Sequence, residues 1–396
     1  MIARRRFIEL LAAAPFGGWA AAASGSDFAA FLQTFWPRAR EKGVSRATFD
    51  AVTGGLTLDS SLPQASGSQP EFDRPLQAYF KEAVSAARIA EGRRAAMTCA
   101  SALRAGEAHF GVPAEIVLAA WAMESDFGRS RGKRDIFRTL VTQAFTRPDR
   151  PLFRDEFIEA LLILESGQAS RAQMTGSWAG AMGDPQFLPS AYRKYAVSAS
   201  GDAKAPDIWT SPPDILASIA NFLKLSGWRP DRPWAKEVLL PDRFPVPALH
   251  ARMAEWAAEG VRPASGALPA DGEAALFLPS GADGPAFLLF ENHWILKQYN
   301  NSDSYALSLG VLAQRIAGGP ALARAWPERV VNLSRTDKAF IQARLAALGL
   351  YDGAADGKFG PSSRDAIHAF QRRAGISPAD GFATPALVQN LRAATP

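Results

Sequence analysis

A chain of 396 residues is long enough for two or three domains, each with its own core. Its 47% hydrophobic and 21% charged residues are ordinary for a globular protein, and its net charge of +5 comes from Lys and Arg scattered without a long basic stripe, which argues against a dedicated nucleic-acid binder. A single cysteine, Cys99, excludes an intramolecular disulfide and a thiolate cluster, and His109, His250, His293 and His368 show no metal-ligand spacing, so a zinc site is not expected.

The chain opens on Arg4-Arg5-Arg6-Phe7-Ile8, then a weakly apolar run from Leu10 to Ala14, then the small residues Ala21 to Ala23. Charge, apolar run and small residues in that order predict an export signal over residues 1–23, and the paired arginines resemble the twin-arginine motif. A basic, frayed N-terminus is the plainer alternative. No cysteine follows to accept a lipid, and no later stretch is apolar for long enough to span a bilayer. The expectation is an exported, soluble protein, periplasmic where the cell has an outer membrane.

Residues 27–62 read as helical, because Phe28, Phe31, Leu32, Phe35 and Trp36 recur at helical spacing. A polar stretch from Pro63 to Pro75 follows, and Leu76 to Phe110 carries two helix-like patterns. Pro113 is expected in the first turn of a helix that ends near Gly128. Phe153 to Ser166 is amphipathic, and Pro189 and Pro212 look like helix starts. Strand signals are scarce until Ala275–Leu278 and Phe287–Phe290, which read as a hairpin joined by Ser280 to Pro285. The segment 319–335 has no clean period and reads as a linker. The last unit, 336–393, reads as three short helices around turn-rich loops at Gly353, Asp356-Gly357 and Gly360.

Glu124 stands out, an acid within Trp121-Ala122-Met123-Glu124-Ser125-Asp126-Phe127-Gly128. A carboxyl among Trp, Met and Phe is poorly solvated when ionised, so its pKa is expected to rise, as suits a general acid. The bland reading is a helix acid reaching solvent or pairing with Arg129 or Arg131. Asp126, two residues on, should point to the opposite side of the helix. Some fifty residues later the Gly-rich string from Gly176 to Pro189 is suited to close approach of backbone to a flat sugar ring, with Ser177 and Gln186 offering hydrogen bonds. Its glycines could equally serve only to shape a turn. Ordinary glycosidases need two carboxyls. No clear second acid appears, which favours one Glu acting first as acid and then as base.

Taken together these strings resemble the lytic murein transglycosylase B family, whose Gly-Val-Glu-Thr-x-Trp/Phe-Gly segment is matched by Ala122-Met123-Glu124-Ser125-Asp126-Phe127-Gly128. Gly176 to Gly183, then Gln186-Phe187-Leu188-Pro189-Ser190, is similar to its substrate-binding signature. Tyr299-Asn300-Asn301-Ser302 with Tyr305-Ala306 is similar to a later segment whose Asn and second Tyr line the site. The resemblance covers residues 27–318. It implies a mainly α, lysozyme-like catalytic core with a small β-hairpin element, with Glu124 as the sole catalytic acid/base and Ser177, Gln186, Asn300 and Tyr305 binding substrate. Gln342-x-x-Leu345, Asp356-Gly357 and Ala366-x-x-x-Phe370-Gln371 resemble a three-helix peptidoglycan-binding module.

The implied reaction is cleavage of peptidoglycan glycan strands between N-acetylmuramic acid and N-acetylglucosamine, closing a 1,6-anhydro ring without a cofactor. Cell-wall synthesis proteins are a further candidate class of partner. Two departures stand out. Asp184-Pro185 replaces the family's Tyr-Gly, and the loop Ser198–Lys204, which binds calcium in some members, has Ser for the first Asp, so weak or no calcium binding is expected. The rival readings are a water-using muramidase with Asp184 or another acid as second carboxyl, and a non-catalytic wall-binding scaffold.

Overall fold

The computed structural model describes residues 25–62, 74–201, 205–328 and 333–394, so the export signal, most of the polar stretch, the heart of the calcium-like loop and part of the linker lie outside the described residues. The first helices are α1 (Gly25–Gln33), α2 (Trp36–Glu41) and α3 (Arg46–Thr53), followed by α4 (Leu76–Ala83), α5 (Ala86–Thr98), α6 (Ala100–Phe110) and α7 (Ala114–Ser125). Next come β1 (Arg134–Asp135), α8 (Ile136–Thr146), α9 (Leu152–Glu165), β2 (Thr175–Gly176), α10 (Pro189–Tyr195) and α11 (Pro212–Leu225). The following part holds β3 (Ala235–Leu239), β4 (His250–Arg252), α12 (Met253–Ala258), β5 (Arg262–Pro263), β6 (Glu273–Phe277) and β7 (Ala286–Leu289). Helices α13 (Glu291–Leu296), α14 (Asp303–Ile316), α15 (Arg335–Ala347), α16 (Pro361–Arg373) and α17 (Pro385–Ala393) complete the chain. The fold is mainly α with small antiparallel sheets, as expected.

Several expected elements differ in detail. The segment 27–62 is three helices, because the chain turns at Thr34 and again at Gly43, whose φ of 95° suits glycine. Leu76 to Phe110 likewise holds three helices rather than two, broken at Val84 and at Cys99. Pro113 stands at the N-cap of α7 rather than inside its first turn.

The described residues fall into two compact units, one of 25–62 with 90–228 and the other of 74–89 with 229–394. The first is mainly helical, with the short β1–β2 pair. Its centre is α7, apolar nearly all round and therefore buried nearly all round, with Ile116, Leu118, Ala119 and Ala122 at 3% exposure or less. It packs against α6 and α11. Helix α10 begins at Pro189, and the buried Glu156 of α9 accepts from the Ser190 N–H at 2.8 Å and its hydroxyl at 2.6 Å. Burial pushes the Glu156 carboxyl up against these two hydrogen bonds.

The second unit holds a five-stranded antiparallel sheet of order β4-β6-β7-β3-β5. The expected hairpin is β6 and β7, in the register Ala275↔Leu289 to Phe277↔Phe287. Strands β3, β4 and β5 precede it and went unread, because they are two to five residues long and pair with distant segments. One face of the sheet closes over Trp256, Val246, Leu276 and Leu288. The stretch after α14 is held by contacts: the N–H groups of Ala323 and Arg324 donate to Glu237, and the Trp326 ring meets Phe80 at 5.1 Å.

The three C-terminal helices enclose Ile341, Leu345, Ile367, Phe370 and Leu391. Two buried glutamines organise them by the same device. Gln342 accepts from the Gly357 N–H at 2.7 Å and donates to the Lys358 carbonyl, while Gln371 accepts from the Gly381 N–H at 2.8 Å and donates to Asp380. Each pins an Asp-Gly turn to a helix, which explains the Gln and Asp-Gly signals of the sequence.

Helix α14 carries a glycine, Gly310, whose added Cβ would lie 2.3 Å from the Trp234 indole. That ring is buried and stacked at 26° on the fully buried His293, so it has nowhere to go. Gly310→Ala should therefore lower stability by about 1–3 kcal/mol through overpacking, although alanine is the better helix former by about 1 kcal/mol. Thermal denaturation checks the sign: a raised midpoint would mean that Trp234 yields.

Candidate active site

Helix α7 ends at Ser125, and the chain leaves it through two left-handed residues, Asp126 at φ 49° and Phe127 at φ 56°. Asp126 is thus outside the helix, which replaces the expected helical-wheel separation from Glu124 with a turn. Glu124 sits in the final turn of α7, half-buried, next to Trp121, Ala122 and Ser125, which are all buried. Ser125 fastens the exit, its hydroxyl accepting from the Gly128 N–H at 3.1 Å. The guanidinium of Arg129 pairs with Glu91 at 3.1 Å and Asp126 at 3.3 Å.

The Gly-rich string is a small β-like wing. Strands β1 and β2 pair Arg134 with Gly176 and Asp135 with Thr175. The wing then folds back on itself, Ser177 N–H donating to the Ala181 carbonyl at 2.8 Å and Met182 exchanging both backbone bonds with Phe187. Gly176 is required here, since a Cβ would lie 1.9 Å from the Ala181 carbonyl oxygen. The Ser177 hydroxyl accepts from the Ala181 N–H at 3.2 Å, which leaves its own hydrogen for a ligand. A cavity of about 350 Å³ opens beside it, lined by Ser130, Lys133, Arg134 and Trp178 among others.

What joins wing to helix is Asp184. Its carboxylate is 1% exposed, accepts from Trp121 Nε1 of α7 at 2.8 Å, and pairs with Arg131 Nε at 2.7 Å. Arg131 also donates to the Gly128 carbonyl at 3.1 Å, and its own carbonyl accepts from Gln186 Nε2 at 3.0 Å. Gln186, at φ 54°, donates again to Gly183 at 2.7 Å, so both its amide hydrogens are engaged and its carbonyl oxygen remains for a ligand. Glu124, Ser177 and Gln186 therefore belong to one unit. Asn300 and Tyr305 belong to the other, Asn300 in the loop before α14 and Tyr305 in its first turn, 2% exposed, with its N–H on the Ser302 hydroxyl at 3.3 Å.

Sequence reasoning missed Trp121 and Arg131 as the partners of Asp184. The signal was there, an unusual acid in a loop and a basic run after Gly128, but the pairing is non-local. The calcium-like loop shows Ser198 and Ser200 hydroxyls 2.7 Å apart, while Asp214 accepts from the N–H groups of Ala199 and Asp207. Among the described residues that loop offers a cation hydroxyls and no carboxylate of its own, and Asp202 lies outside them.

Burial pushes the Asp184 carboxyl above its usual range, with Trp121 and Arg131 offsetting this only in part. Its contribution to stability is therefore whole below the ordinary aspartate range and falls away as pH rises through the raised pKa. Asp184→Asn should cost about 1–3 kcal/mol because the amide NH2 faces a donor of Trp121 or Arg131 and leaves it unpaired, and the gap from wild type should narrow as pH rises across that window. Urea unfolding at a series of pH values checks this, and a gap that widens with pH would contradict it.

Comparison with known proteins identifies the family. Residues 27–314 match the family model described as Transglycosylase SLT domain, and residues 334–391 match the one described as Putative peptidoglycan binding domain. The membrane-bound lytic murein transglycosylase B of Escherichia coli K12 is 32% identical over 214 residues, which are 52% of this chain and 58% of that protein, so the chain spans little more than half the length of this curated relative. The crystal structure of SltB3 from Pseudomonas aeruginosa in complex with NAG-anhNAM-pentapeptide is similar at 40% identity and a TM-score of 0.83, over 92% of this chain and 99% of that one. The Escherichia coli lytic transglycosylase Slt35 in complex with calcium is similar at 27% identity and a TM-score of 0.61, over 72% of this chain and 92% of that one. The chain belongs to the transglycosylase SLT domain family.

Proposed function

We propose that this protein is a peptidoglycan lytic transglycosylase that cleaves between N-acetylmuramic acid and N-acetylglucosamine and leaves 1,6-anhydro ends. The observation that carries the reading is the commitment of Asp184. Glu124 stands at the end of a buried helix fixed to the Gly-rich wing, and the acid of that wing is buried and taken up by Trp121 and Arg131. A carboxylate so engaged is not placed to activate water, which weighs against the muramidase reading. The relative SltB3, crystallised with NAG-anhNAM-pentapeptide, supports the anhydro product.

In this reading Glu124 protonates the glycosidic oxygen as the bond to C1 breaks, and the charge at C1 is held as an oxocarbenium ion or by the neighbouring N-acetyl group. The Glu124 carboxylate then takes the proton from the C6 hydroxyl of the same sugar, whose oxygen attacks C1 and closes the ring. Glu124 ends protonated, as it began. Ser177, Gln186, Asn300 and Tyr305 bind and orient the sugar, a contribution made through geometry. The catalytic domain is residues 27–318, and the module at 336–393 holds the enzyme to the wall. Among the described residues no helix is long and apolar enough to cross a membrane, and with the export-like N-terminus this supports a periplasmic site of action.

The test is mass spectrometry of the soluble products released from peptidoglycan sacculi. Wild type should release anhydro-muropeptides. Glu124→Gln should cut that release by at least about 100-fold, the scale of general acid–base catalysis, while still sedimenting with sacculi. Reducing-end products would instead establish a muramidase, and an undiminished variant would remove Glu124 from the mechanism.

A further inference from the structure

The C-terminal module docks on the sheet-bearing part of the chain through α16 and the turn after it. His368 Nε2 lies 2.9 Å from the Val246 carbonyl, Arg372 donates to the Pro247 carbonyl at 2.7 Å, and His250 meets Asp365 at 3.0 Å. These contacts end on the sheet and the loop leading into it. Arg364 of the same helix goes elsewhere: its NH1 donates to Asp303 Oδ2 at 2.6 Å. Asp303 is the first residue of α14, two before Tyr305 and three after Asn300.

This is no surface ion pair. The side chains of Asp303 and Arg364 are 10% and 17% exposed, Lys297 Nζ lies 2.7 Å from the other carboxylate oxygen, and the fully buried His293 is 3.6 Å away. The guanidinium is further confined over the Phe277 ring, 4.7 Å from its centroid. Breaking one side of such a pair leaves a buried charge short of a partner, whereas exposed pairs contribute little either way. A docking contact for adhesion alone gains little from desolvating two charges, since an apolar pair would serve as well. What the ion pair adds is a fixed position for the first turn of α14.

We propose that Arg364, a residue of the peptidoglycan-binding module, is a positioning residue for the cleavage reaction, holding Asp303 and through it the Asn300 to Tyr305 segment. This rests on the reading that Asn300 and Tyr305 bind the sugar. The module then has two separable duties, retention on the wall and support of the reaction, and the second operates on a substrate that never touches a wall.

The experiment compares kcat and KM on sacculi and on a soluble tetrasaccharide of alternating N-acetylglucosamine and N-acetylmuramic acid, using full-length wild type, Arg364→Met, Arg364→Lys and Arg372→Met. On the tetrasaccharide Arg364→Met should lose about tenfold in kcat, the scale of a small misplacement of a substrate-holding group. Arg364→Lys should recover most of that loss, and Arg372→Met, which loses a docking contact but not Asp303, should match wild type. Equal kcat for wild type and Arg364→Met on the tetrasaccharide overturns the proposal, however much either loses on sacculi. An equal loss in Arg372→Met also overturns it, by making docking in general the cause. If Arg364→Met does not fold, Arg364→Gln replaces it under the same criterion. Wild type that forms no anhydro product from either substrate overturns the underlying reading and the proposal with it, whereas an active wild type with an indifferent Arg364 overturns the proposal alone.

Discussion

A helix end and a glycine-rich loop have no intrinsic reason to hold a fixed relation, and in this protein the buried Asp184 carboxylate supplies it. One oxygen is tied to the indole of Trp121 in the helix that carries Glu124, the other to the guanidinium of Arg131 in the turn that follows. The backbone of Arg131 is in turn held by Gln186. Helix, exit turn and wing are thereby closed into a ring of polar contacts around an apolar core. Such a network is rigid when fully satisfied and costly when partly broken. The helix that carries the half-buried Glu124 is thereby held in a fixed relation to the wing.

The same logic recurs at lower cost elsewhere. Glu156 holds the first turn of α10, Ser302 caps α14, and Gln342 and Gln371 each hold an Asp-Gly turn. In each case a polar side chain from one element satisfies backbone N–H groups that helix starts and tight turns leave exposed. These points carry little apolar area. They set where the elements begin, while the clusters around Trp256 and Phe370 supply the burial.

Much of this was legible in the chain. Pro189 and Pro212 start helices where they were read, and the hairpin expected between residues 275 and 290 forms as β6 and β7. The three C-terminal helices form in the stretch where they were read. Glu124, Ser177 and Gln186 were picked out by residue type against context and share one unit. What was not legible depends on partners far away in sequence. Strands β4 and β5 are too short to announce themselves. Asp184 was a candidate second acid only in the rival muramidase reading, and its partners Trp121 and Arg131 lie 63 and 53 residues earlier with no local signal of the pairing. Asp303 and Arg364, 61 residues apart, lie in stretches matched by different family models and carry no local signal of each other.

The docking of the C-terminal helices changes what the residues between α14 and α15 are for. A binding module on a free tether searches a volume set by the tether's length, and that volume sets how strongly one attachment favours the next. Here His368, Arg372 and Arg364 already hold the module, and Ala323 and Arg324 are themselves fastened to Glu237. The connecting stretch therefore serves as covalent continuity and not as reach. A ligand held by the module would be held at one set distance from the body of α14, as a jig holds a workpiece.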